Sequence, residues 1–207
     1  MFTAVAFVPV APVLILGPAV AVKPTLAAVD RALAPLATLG LPVHLLVAAP
    51  PPAQAGFTLA ALGAPQSDDR PWRVSVAETL LQRHGLTAGC AREVGPGAAL
   101  VEPAEAACLV VAGDGSAKRS ESAPGALDPR AEGFDATVLT AINQADPMIL
   151  AGLDAGLGEA LLVDAVHVWR SAGAALGDRR WRAAARGELN APFGVAYLTG
   201  AWIAGQP

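Results

Sequence analysis

The stretch ACLVVAGDGSAKRS, Ala107 to Ser120, decides how the fold is read. Six apolar residues, Ala107–Ala112, run without a charge into a glycine-rich loop. Such a short, continuous run reads as a central strand covered on both faces, as in a parallel sheet. Thr3–Val8 and Val43–Ala49 have the same character, and the three are expected to lie adjacent and parallel in the sheet interior. Gly89–Val94 offers a short further strand and Gly194–Ile203 a closing one.

Longer patterns between these runs predict helices. Pro24–Ala34 has proline in its first turn and Pro35 just past its end, and Val76–His84 is closed by Gly85 as the residue after the helix. Further helices are expected at Pro129–Ala145, at Pro147–Leu153 behind an Asp146 cap, and along Gly156–Ala174 as one long helix. The Gly/Ala/Pro-rich segment Ala53–Arg70 reads as an irregular surface excursion. Strands alternating with helices give an α/β fold class: a mainly parallel sheet with helices on both faces, one domain over residues 1–207.

Composition narrows the function classes. Apolar residues make up 54% and charged residues 15%, which excludes disorder. A net charge of -4 without a basic cluster speaks against nucleic acid and against an anionic membrane surface as partners. The apolar opening, residues 1–22, lacks a basic start and is interrupted by three prolines, so it reads as a first strand rather than a signal peptide. The expected location is cytoplasmic. Cys90 and Cys108 form no metal or redox spacing, and Cys108 reads as a small buried hydrophobe.

The loop after Ala112 fails the phosphate-binding patterns. A Walker motif needs glycine before Lys-Ser, the dinucleotide fingerprint needs a third glycine where Lys118 stands, and a nucleophile elbow needs glycines where Asp114 and Lys118 stand. The loop still carries Asp114, Ser116, Lys118 and Arg119, with glycines that can expose backbone amides. Two readings compete: a ligand-contacting loop, or a loop held by its own charges, with Arg119 or Arg130 on Asp128. Among the histidines, His44 reads as a strand-boundary residue, His84 as a helix C-terminal cap, and His167 as a partner of Asp164. Trp169, Trp181, Phe193, Tyr197 and Trp202 suit a core or a subunit interface, which leaves a homo-oligomer open.

The segments Val110–Ile142 (VVAGDGSAKRSESAPGALDPRAEGFDATVLTAI), Gly158–Leu176, Ala191–Ala204 and Phe7–Ile15 together resemble actinobacterial class III extradiol ring-cleavage dioxygenase B-subunit-like proteins. The resemblance covers most of the chain and is weakest between residues 50 and 105. It implies an α/β scaffold with its site at the carboxyl ends of the strands. In the catalytic relatives that site holds Fe(II) through two histidines and a glutamate, with a further histidine as acid/base. Here the first ligand position falls at Val10 within Pro9–Pro12, the second at Pro50–Pro52, and the acid/base near Ser116-Ala117. Glu159 alone matches the glutamate.

The expectation is therefore a dioxygenase-like scaffold without ring cleavage and with no metal cofactor, more a binding protein than an enzyme. Its ligand-binding residues would be Asp114, Ser116, Lys118, Arg119 and Glu159, gathered with the Pro9–Pro12 loop. The cations Lys118 and Arg119 favour a small anionic ligand; a protein partner is the other possibility. The alternative reading is a divergent Fe(II)-dependent extradiol dioxygenase or other oxidoreductase acting on an aromatic substrate, or a hydrolase using Ser116.

Overall fold

A computed structural model describes residues 1–16, 20–50, 58–62, 70–177 and 179–205. Six strands form one mixed sheet: β1 (Phe2–Val8), β2 (Val43–Ala48), β3 (Ala88–Val94), β4 (Ala107–Ala112), β5 (Trp181–Asn190) and β6 (Tyr197–Ala204). Their order is β3-β2-β4-β1-β6-β5. The pairs β3-β2, β2-β4 and β4-β1 are parallel, whereas β6 runs antiparallel to β1 and to β5. The three expected interior strands are indeed adjacent and parallel. The closing strand is present, turned antiparallel.

All six residues of β4 are buried, and they alternate between two cores. Cys108, Val110 and Ala112 face the layer of α1 (Lys23–Ala37) and α2 (Trp72–Gln82). Ala107, Leu109 and Val111 face α3 (Arg130–Gln144), α4 (Pro147–Ala151) and α6 (Val166–Leu176). A strand covered on both faces has no wet side to mark with polar residues, which is why its sequence is continuously apolar. Trp169, Trp181, Tyr197 and Trp202 are buried, while Phe193 is exposed. The Trp202 ring meets Phe7 edge-on at 4.8 Å, and its Nε1–H donates to the Ile142 carbonyl at 2.7 Å.

Several boundaries differ from expectation. Helix α1 continues through Pro35 to Ala37, although the proline forgoes the bond to the Arg31 carbonyl. Helix α2 starts at Trp72 rather than Val76; Gly85 does follow it, at φ 68°, with Leu86 N–H returning to the Leu81 carbonyl. The expected helix Gly156–Ala174 is two helices, α5 (Ala155–Ala160) and α6. The break falls at Leu162, which adopts φ 57° while Val163 N–H bonds the Gly158 carbonyl. That is a helix stop usually made by glycine. Asp146 does cap α4, accepting from Met148 N–H at 2.8 Å. Strand β5 was not anticipated: its exposed edge position and its arginines hide the strand pattern. Arg179 pairs with Glu102 and lies 5.1 Å from the Trp181 ring centre. Most of Ala53–Arg70, and Pro51, Pro52 and Asp178, lie outside the described residues.

Candidate functional site

The register levels the carboxyl ends of three parallel strands, with Val8 beside Ala112 and Ala112 beside Val47. Asp114 stands two residues beyond β4 at this edge. Its Oδ1 accepts the N–H of Val10 at 2.9 Å, and the Ala11 N–H also reaches it. The carboxyl is buried, at 9% exposure. Burial, and then the nearby Asp164 carboxylate, push its pKa up to about 7 against the pull of the two amides and of Arg73. Near neutrality the protonated and ionised forms of Asp114 are therefore comparable in population.

Arg73, at the start of α2, holds Asp164 with Nε at 2.9 Å and Nη2 at 2.6 Å from Oδ1. The pair is largely desolvated, with side chains 7% and 20% exposed. The guanidinium lies 4.3 Å from the centre of the Trp72 ring. Tyr197 opens β6 beside the end of β1, and burial together with the Asp114 charge raises its phenol pKa. Thr199, two residues on, has a buried hydroxyl without a hydrogen-bond partner among the described residues. Thr25, in the first turn of α1, has another. The carboxyl edge thus collects a proton-holding carboxyl, a phenol, a balanced ion pair and two orphan hydroxyls.

Of the residues expected to bind ligand, Asp114 alone meets the Pro9–Pro12 loop. Ser116 is fully buried, and its N–H and Oγ bond Asp135 of α3 at 3.0 and 2.5 Å. Arg119 Nη1 bonds the same carboxylate at 3.0 Å. Lys118 packs along Gly125 with its charge near Asp128, which Arg130 also holds. Glu159 is mostly exposed and bonds His167 Nε2 at 2.9 Å. Several loop amides are spent as well: Gly113 donates to Val8, Gly115 to Ala196, Ala117 to Leu161 and Arg119 to Gly194. Its glycines serve packing, since a Cβ on Gly113 would lie 2.6 Å from that of Ala165 and one on Gly115 would lie 2.8 Å from that of Ala196. The loop is held by its own contacts, with Arg119 on Asp135 and Arg130 on Asp128.

Among the described residues, the Fe(II) implied by the resemblance finds no fitting donor set. Val10 is a fully buried apolar side chain that contributes its amide to Asp114. His44 lies at the start of β2, edge-on to Phe2 at 5.6 Å, and His84 bonds Asp30 at 3.0 Å rather than capping its own helix. His167 is engaged by Glu159 instead of Asp164. Among the described residues no three His, Cys, Asp or Glu side chains gather as a metal would require. Cys108 is likewise a core residue, its thiol pushed up to about 11 by burial.

Arg73, Asp164 and Tyr197 are the residues that sequence reasoning left out of the site. An arginine enclosed by Trp72, Val74 and Val76 in an otherwise apolar helix start was the available signal, because such a charge requires a partner. Among the described residues no helix is long and apolar enough to cross a membrane. No protein-family model matches the chain, and no curated protein matches it.

Proposed function

We propose that the chain is a small-molecule-binding protein on an extradiol-dioxygenase-like scaffold, working without ring cleavage, with its ligand beside Asp114 at the carboxyl edge of the sheet. The observation that carries the reading is the buried Asp114 carboxyl, held by the Val10 amide and titrating near neutrality. Perturbed carboxyls cluster at functional sites, and open α/β sheets bind ligands at the carboxyl ends of their strands. Orphan hydroxyls on Thr25 and Thr199 add polar capacity at the same edge. Valine at position 10 and an exposed Glu159 tied to His167 support the lack of ring-cleavage chemistry.

The ligand class shifts with the geometry. Lys118 and Arg119 are committed elsewhere, and the charge of Arg73 is balanced by Asp164. An anion gains little here. An uncharged hydrogen-bonding molecule suits a carboxyl that donates when protonated and accepts when ionised. The test is a screen of small amides, alcohols and heterocycles by NMR, on wild type and an Asp114→Asn variant at pH 6 and pH 8. Ligands shifting the signals of Val10, Asp114 and Tyr197, with affinity that depends on pH only in wild type, are expected. Ligands that bind equally well to both proteins at both pH values would refute the assignment.

A further inference from the structure

A concavity lies on the other face of the sheet from α1 and α2, between α3, α4 and α5, with a volume of about 560 Å³. That is within the range of small-molecule sites. Phe134, Ile149, Leu153 and Leu157 give it apolar walls. Its polar groups are mostly occupied: the Thr137 hydroxyl donates to the Gly133 carbonyl at 3.0 Å, and Asp154 Oδ1 accepts the Leu157 N–H at 3.0 Å. Arg130 gives two side-chain N–H groups to Asp128, leaving others of its five donors at the rim.

Gly133 adds an independent observation. It lies inside α3, where glycine is a poor helix former. A Cβ built there meets nothing within 4 Å, so the protein's own packing does not require glycine. Gly158 and Gly173 differ, because added Cβ atoms would lie 2.6 Å from Val166 Cγ2 and 2.5 Å from Ala151 N. Gly133 lines the groove, and a side chain there would project into open space.

From these features we infer that the groove between α3, α4 and α5 binds an uncharged amphiphile, an aliphatic chain with a hydroxyl-type head placed between Arg130 and Asp154. The lining carries one cation, Arg130, itself paired with Asp128, and one anion, Asp154. An ionic head of either sign would meet a repelling group as well as an attracting one. A hydroxyl can accept from Arg130 and donate to Asp154 without that conflict. This site is separate from the Asp114 edge and does not depend on it.

The experiment titrates the isotope-labelled full chain with decanol, decanoate and decylammonium, each below its aggregation limit, and follows the NMR signals of Gly133, Phe134 and Leu157. Expected is saturable one-site binding of decanol, with both ions weaker by about tenfold or more. Gly133→Leu, which projects a side chain into the groove, is expected to abolish decanol binding while remaining folded by circular dichroism. Should that variant unfold, Gly133→Ala is read in its place and must weaken binding without lowering Tm. Asp114→Asn must leave the affinity unchanged. Absence of saturation, undiminished binding in the folded glycine variant, or an ion that binds as tightly as decanol would overturn the inference.

Discussion

The backbone N–H of Val10 donates to Oδ1 of Asp114 across 2.9 Å, joining the loop after β1 to the loop after β4. This bond sits where the resemblance would place a metal-binding histidine. Valine supplies a buried apolar side chain, and its amide serves a carboxyl instead of an ion. Two amides are too few to offset the loss of water around Asp114, so burial dominates and raises its pKa.

The shift has a defined consequence for stability. Folded Asp114 keeps its proton up to about pH 7, whereas the unfolded chain releases it near pH 4. Between those values the folded state binds more protons, so this residue's contribution to stability falls as pH rises and levels off above about 7. The full shift corresponds to about 4 kcal/mol. Asp114→Asn is therefore expected to raise Tm at pH 8, with the gain shrinking toward pH 5. Thermal melts across that range check it, and a gain that grows on acidification would contradict it.

The Arg73–Asp164 pair predicts an asymmetry between single and double changes. Arg73→Met leaves a largely desolvated Asp164 and is expected to cost about 3 kcal/mol. Arg73→Met combined with Asp164→Leu should recover much of that loss, because an apolar pair leaves no charge behind. Urea unfolding of the three proteins measures the difference. A double variant less stable than the single would argue against the account.

Asp135 is fully buried beneath Ser116 and Arg119. Ser116→Ala is expected to cost about 2 kcal/mol, the scale of a hydrogen bond to a charged group. Asp135→Ala should cost about 3 kcal/mol or more, since it strands both partners. Ligand binding at Asp114 should survive in whichever variants stay folded. Unchanged stability combined with lost binding would return this network to the functional site.

How much could be read from the sequence depended on the reach of the interaction. β1, β2 and β4 were legible because burial on both faces leaves a local, continuous apolar signature. β5 was not: Arg182, Arg186, Gly187 and Glu188 are compatible with an edge strand but do not announce one. The break between α5 and α6 was hidden because leucine, at position 162, takes the left-handed place where glycine would have signalled a stop. Asp114 could be found from its place after a buried strand. Arg73, Asp164 and Tyr197 come from distant segments, and no local pattern tells which carboxylate will meet which guanidinium. The surroundings of Lys118 and Arg119 were hidden for the same reason, because residue type does not reveal that Asp128 lies near the one and Asp135 beneath the other.

The most direct test of the central claim is a carbon-13 NMR titration of the Asp114 side-chain carboxyl in the folded protein, assigned by comparison with Asp114→Asn. The account predicts a midpoint near pH 7 and, because the Asp114 charge acts on Tyr197, a matching movement of the Tyr197 ring signals. A midpoint near 4 with an unresponsive Tyr197 would show an ordinary carboxylate there and contradict the account.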